Sequence, residues 1–176
     1  MKKPINITTP LTAEVVEKLK AWDIVYISGR IFTARDMAHK LLYDYLKKGK
    51  TLPFDLKGQL IYYTGPTAAP KGKVIGSCGP TTSSRMDKFS PALLKAGLAG
   101  MIGKGRRGEE VIEAIKKFKA VYFAAPSGCG AYLSKRVKKA EVFKFKELGP
   151  EAIFSLEVEC FPCVVAVDSK GENIYK

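Results

Sequence analysis

One histidine, one tryptophan and four cysteines in 176 residues leave little material for a metal site or a disulfide framework. Cys78, Cys129, Cys160 and Cys163 are too few and too irregularly spaced to staple a chain of this size, so reduced thiols and a cytoplasmic setting are expected. No stretch approaches the ~18 consecutive apolar residues that cross a bilayer, and Met1 to Pro10 hold two lysines with no apolar run behind them. A soluble, unsecreted chain with no membrane partner is expected. Acid is also short: 17 Asp and Glu against 30 Lys and Arg give a net charge of +13, which raises the question of an anionic partner. The positive charge is spread along the chain instead of gathered in a tail, and no nucleic-acid signature accompanies it, so a lysine-rich solvated surface accounts for it and nucleic acid is not expected. Linkers, low-complexity tracts and solenoid repeats are absent, and 46% hydrophobic content suffices for a core. One domain over residues 1–176 follows.

Hydrophobic periodicity and turn residues give α/β alternation. Thr12 caps a helix through about Trp22, and Asp23 to Ser28 alternates as a strand that Gly29 ends. Thr33 and Asp36 have capping-box spacing for a helix that stops near Gly49. Leu60 to Thr64 and Lys73 to Cys78 read as strands, each closing on Gly-Pro. Ser84 and Asp87 form a second capping box, and Ser90-Pro91 restarts that helix as cap and first residue. Leu98 to Ile102, Glu109 to Lys119 and Ala120 to Ala125 make a βαβ unit. A glycine-rich loop (Ser127-Gly128-Cys129-Gly130) and a short helix come next, then strands at Val142 to Phe145, Phe154 to Glu159 and Val164 to Val167. The turn Asp168 to Gly171 leads into a last short strand.

Several segments can carry chemistry. Arg35 sits in the first turn of its helix, where free N–H groups and the helix dipole favour an anion and a guanidinium supplies a carboxylate fork; alternatively it is a solvated arginine. His39, one turn later, either joins that site as an accessory or is structural. Gly79-Pro80-Thr81-Thr82-Ser83-Ser84-Arg85 places four hydroxyls between a strand end and a helix start, an oxyanion-binding composition or an over-capped turn. Gly103-Lys104-Gly105-Arg106-Arg107-Gly108 fits a dinucleotide fingerprint formally, yet the acid expected ~20 residues on is missing. Three cations in that loop suit an anion better, with Lys104 as point charge, or mark an exposed basic turn. Cys160 and Cys163 have redox or zinc spacing without a second pair or a nearby histidine, so no metal ligands are assigned and packed core thiols are the better reading.

Taken together, Gly29-Arg30-Ile31-Phe32-Thr33-Ala34-Arg35-Asp36-Met37-Ala38-His39, Tyr63-Thr64-Gly65-Pro66, Gly79 to Asp87, Lys104-Gly105 and Glu147 to Ile153 resemble the β component of the iron–sulfur hydro-lyases, which include class I fumarate hydratase and L-tartrate dehydratase. The resemblance implies a swivelling β/β/α domain, with a mixed central sheet and flanking helices, that closes over a [4Fe–4S] cluster carried by an α subunit. It further implies that Arg35, Arg85 and Lys104 hold a small dicarboxylate, that Ser84 contacts it where many members have glycine, and that Thr81 is the base, with Thr82 and His39 as accessories. The implied activity is reversible hydration of fumarate to (S)-malate, with L-tartrate dehydration as the alternative. The implied assembly is a heteromer with the α subunit, as α2β2 or through a homo-oligomer of this chain. A stand-alone binding module for anions or nucleic acid is the competing reading, supported by net charge alone.

Overall fold

The computed structural model describes residues 3–175. Its strands are β1 (Ile5–Thr8), β2 (Ile24–Thr33), β3 (Leu60–Tyr62), β4 (Gly100–Gly103), β5 (Val121–Ala124), β6 (Val137–Lys144) and β7 (Ile153–Val167). The helices are α1 (Ala13–Lys18), α2 (Asp36–Lys47), α3 (Ser90–Lys95), α4 (Glu109–Phe118) and α5 (Gly130–Ser134). The strands lie in the order β1-β2-β3-β4-β5-β7-β6, and a further pairing of β2 with β7 closes the sheet into a barrel-like arrangement. β2 to β5 run parallel, and β7 is antiparallel to β2, β5 and β6. The chain is thus α/β with a mixed sheet and flanking helices. None of its helices, among the described residues, is long and apolar enough to cross a membrane.

Side chains alternate along each strand, so the closed sheet divides the core in two. Val25, Ile27, Leu60, Tyr62, Phe123 and Phe161 belong to one cluster. Their neighbours Phe32, Ile61, Met101, Tyr122 and Ala166 turn the other way, against Ala38 and Leu42 of α2, Leu93 of α3, and Val111 and Ile115 of α4. The β4–α4–β5 unit forms where the sequence indicated it, with its strands paired in parallel.

Elsewhere local signals yield to tertiary ones. α1 begins at the Thr12 cap but ends at Lys18, because the Lys20 and Ala21 N–H groups donate to the carboxylates of Asp23 (2.8 Å) and Asp168 (3.1 Å), and Trp22 turns left-handed at φ 74°. Gly29 does not end its strand. It adopts φ +100° at a bulge and lets β2 continue to Thr33; a Cβ there would lie 2.7 Å from Thr9 Oγ1. Thr33 is no cap either: its buried hydroxyl donates to Ala152 O and accepts from Phe154 N, tying β2 to the C-terminal segment. The cap of α2 comes from 114 residues away, where Glu151 accepts a 2.9 Å bond from Met37 N. Lys73 to Cys78 forms no strand, and Ile75 and Cys78 instead turn into the first core cluster.

The second capping box is likewise replaced, by a 3-10 helix over Ser83–Met86 in which Asp87 N donates to the Ser84 carbonyl. Asp87 turns its carboxylate to Arg107 and Gly108. Ser90 is the first residue of α3, not its cap, and Pro91 follows it. The two strands expected at 154–159 and 164–167 are one, continuous through a left-handed Cys160 at φ 48°. β1 has no counterpart in the sequence reading, and the expected last strand is a single bridge between Val167 and Asn173.

Candidate functional site

Because β2, β3, β4 and β5 are parallel, the segments that follow them leave from one rim, the position where open and closed α/β sheets bind ligands. The segment after β2 carries Arg35, that after β3 carries Thr81 to Arg85, that after β4 carries Lys104, and that after β5 carries Gly128 to Gly130.

Arg35 and Arg85 converge on one carboxylate. Arg85 donates from Nε and Nη2 to the two oxygens of Asp36 at 3.0 and 2.9 Å, a bidentate pair. Arg35 Nε lies 3.8 Å from Asp36 Oδ2, and its Nη2 lies 3.9 Å from Glu151 Oε1. Arg35 Nε is buried without a hydrogen-bond partner. The head of Arg35 rests against Gly65, where a Cβ would come within 2.7 Å of Nη1, so the Gly65-Pro66 turn needs its glycine to admit the guanidinium.

The hydroxyl run is stitched to the Lys104 loop through backbone and one buried serine. Thr81 N donates to Tyr63 O at 2.6 Å, which extends the line of β3. Thr82 bridges Lys104 in parallel fashion. Ser83 N donates to Lys104 O at 2.9 Å, while Ser83 Oγ accepts from Lys104 N at 3.0 Å and from the Tyr122 hydroxyl at 2.9 Å. Gly103 is required beneath this joint, since a Cβ there would collide with Ser83 Oγ. Thr81 is half-buried; Thr82, Ser84 and Arg85 are exposed. The four hydroxyls therefore divide: Ser83 builds the loop, and the others stay on its surface. Lys104 is half-buried and has no ion-pair partner among the described residues.

Arg107, from the same basic loop, points the other way. Its side chain is 0% exposed, donates to Asp87 Oδ1 at 2.7 Å and Ser90 Oγ at 2.7 Å, and lies against the rings of Tyr63 and Tyr122. Burial opposes its charge, but Tyr63, Asp87 and Tyr122 outweigh burial and hold its pKa above the ordinary value. The loop is thus no uniform anion cradle: Arg107 is a core cation, a role no local signal marks. His39 is also buried. Its Nδ1–H donates to Arg35 O at 2.9 Å, its Nε2 has no partner, and its ring packs edge-on to Tyr63. It shares the buried side of α2 with Ala38 and Leu42. It touches Arg35 through that residue's backbone, not through the guanidinium.

The cysteines do not converge on the rim as ligands. Cys163 is in the barrel core and its thiol is pushed well up by burial; Cys78 is pushed up to about 11 by the same cause. Cys160 is half-buried at its bulge, so only Cys163 of that pair is a core thiol. No group of three or more His, Cys, Asp or Glu suited to a metal occurs among the described residues. A three-cysteine cluster pocket of reactive thiolates does not fit these side chains.

Arg35, Arg85 and Lys104 thus stand at the carboxyl ends of parallel strands of an α/β domain, beside hydroxyls and with Arg35 Nε desolvated. The chain matches the family model Fumarase C-terminus over residues 1–176, and it belongs to that family. It is 42% identical over 172 residues to a putative L(+)-tartrate dehydratase subunit beta of Methanocaldococcus jannaschii, covering 94% of this chain and 88% of the relative. To L(+)-tartrate dehydratase subunit beta of Escherichia coli K12 it is 35% identical over 179 residues, covering 99% and 87%. An aerobic class I fumarate hydratase of Salmonella typhimurium is 34% identical over 177 residues, but this chain spans only 30% of it.

Proposed function

We propose that this chain is the β component of an iron–sulfur hydro-lyase, active with an α subunit, that interconverts fumarate and (S)-malate. The full-length match to subunits named for L(+)-tartrate dehydratase gives tartrate equal standing as substrate. The observation that supports the reading is the convergence of the Arg35 and Arg85 guanidinium groups, from different elements, on the Asp36 carboxylate, which sets two carboxylate-binding cations side by side on the rim.

Adding or removing water next to a carboxylate builds negative charge on that carboxylate in the transition state, and fixed cations lower its energy most when they are already in place. Arg35 and Arg85 supply the forks and Lys104 the point charge. Thr81, whose backbone N–H donates to Tyr63 O in the same strand-end segment, takes the proton-transfer role in this reading. A threonine hydroxyl is a weak base by itself, and a carboxylate of the α subunit has to complete the relay. A [4Fe–4S] cluster, supplied by the α subunit, would activate the substrate hydroxyl; the thiols here do not suit it. Swivelling of this domain against its partner would open and close the rim.

The test is Thr81→Val in the reconstituted pair, assayed on malate and tartrate side by side. Turnover should fall by ~10²-fold with KM nearly unchanged, the pattern of a lost acid–base group. Normal turnover would reduce the hydroxyl run to a loop-building device. The substrate with the higher kcat/KM in the wild-type pair decides between the two activities.

A further inference from the structure

Asp36 has no role in the scheme above beyond standing between two arginines, yet it takes two of the N–H bonds of one of them. A guanidinium has five N–H bonds in a rigid plane. Asp36 occupies the Nε edge of Arg85, through Nε at 3.0 Å and Nη2 at 2.9 Å, which leaves the opposite edge, the Nη1 pair and the remaining Nη2 hydrogen, as a second fork. Arg85 is 50% exposed on a four-residue 3-10 helix, and among the described residues its polar contacts are with Asp36, which sets its plane. Asp36 is fixed in turn: it is the first residue of α2, whose end is tied down by Glu151 on Met37 N. Its carboxylate also stays within 3.8 Å of Arg35 Nε, so it sets the spacing of the two cations that belong to different elements.

Resting on the dicarboxylate reading of the rim, we infer that Asp36 is a positioning residue that orients the outward fork of Arg85 toward the substrate. A competing account makes Asp36 an internal substitute that must be displaced before a carboxylate binds. The two differ in sign. If Asp36 positions, its loss weakens substrate binding; if it competes, its loss strengthens binding. The free Nη1 edge favours positioning, because a ligand can be taken without breaking the pair.

The experiment is a double-mutant cycle in the reconstituted α–β enzyme, with malate and tartrate as substrates and melting temperature followed alongside. Arg85→Met should raise KM by roughly 100-fold and Asp36→Asn by roughly tenfold, with kcat changed far less in the asparagine variant. The asparagine keeps the shape and the helix start while removing the charge that pairs with the guanidinium. In the Arg85→Met background, Asp36→Asn should add nothing, since its effect runs through Arg85. A lower KM in Asp36→Asn overturns the inference in favour of competition. Additive effects, or a lowered melting temperature at unchanged KM, overturn it in favour of a role elsewhere in the fold. No effect of Arg85→Met on KM for either substrate rejects the dicarboxylate reading itself, a failure distinct from the others.

Discussion

Arg85 with Asp36 and Arg107 with Asp87 use the same two residue types in neighbouring strand-end loops, but their side chains are 50% and 0% exposed for the two arginines. The first pair is bidentate and open to water, so it adds little to stability and keeps an unused fork available to a ligand. The second is enclosed by Tyr63, Tyr122 and Ser90, where each guanidinium nitrogen donates inward, to Asp87, Met101 or Ser90, and no ligand can enter. A cation contributes to binding when part of its hydrogen-bonding capacity is left facing solvent, and to the fold when all of it is consumed inside. Charge alone does not separate the two.

The sharpest division comes from removing each arginine. Arg107→Met strands the Asp87 carboxylate on Gly108 N alone and strips a partner from Ser90, which should cost about 3–5 kcal/mol and lower Tm by roughly 10 °C. Arg85→Met should stay within about 0.5 kcal/mol of wild type in the same melts, whatever it does to binding. Equal losses would erase the distinction between the two pairs.

His39 tests the buried layer by pH. Burial, helped by the nearby Arg107 and opposed by its bond to Arg35 O, lowers its pKa from 6.5 to about 4. The unfolded chain then binds a proton that the folded chain refuses, so the stability is complete above pH 6.5 and is lost as pH falls toward 4, by on the order of 3 kcal/mol at that end. Urea melts between pH 4 and pH 7 should show this loss, and His39→Gln should flatten the part of the slope that it contributes. A slope unchanged by the substitution would mean that His39 is solvated in the folded chain.

The smallest effect is expected at Thr82. Its side chain is exposed and its link to Lys104 is through the backbone, so Thr82→Val should move stability by less than about 0.5 kcal/mol and turnover by less than about threefold. A large loss of turnover would shift the proton-handling role proposed for Thr81 to its neighbour.

Much of this division was invisible to a reading of the residues in line. The β4–α4–β5 unit was legible because its apolar periods and its glycine boundaries are local. The segments that bear Arg35, Thr81, Arg85 and Lys104 were legible as motifs, and the rim that gathers them follows once their strands are parallel. Closure of the sheet was not, since β2 gives no sign that both of its edges will be paired. Thr33 has the spacing of a cap, yet the pairing of β2 with β7 claims its hydroxyl, and Glu151 takes over its task from a distant segment. Arg107 looked like one more cation of a basic loop because burial by two tyrosines from other segments leaves no trace in neighbouring residues.

The pairing that closes the sheet also sets the tempo of folding. Ser28 and Cys160 meet across 132 residues, and the α2 end meets Glu151 across 114. Contacts so distant must overcome loop-closure entropy before they return any stabilisation, which places this topology among slow folders. During synthesis β2 waits with an open edge until β7 emerges, exposing a strand that invites wrong partners in the meantime. Arg35 acquires its final surroundings only when the segment bearing Glu151 docks, so the rim of a nascent chain stays incomplete until the barrel is shut.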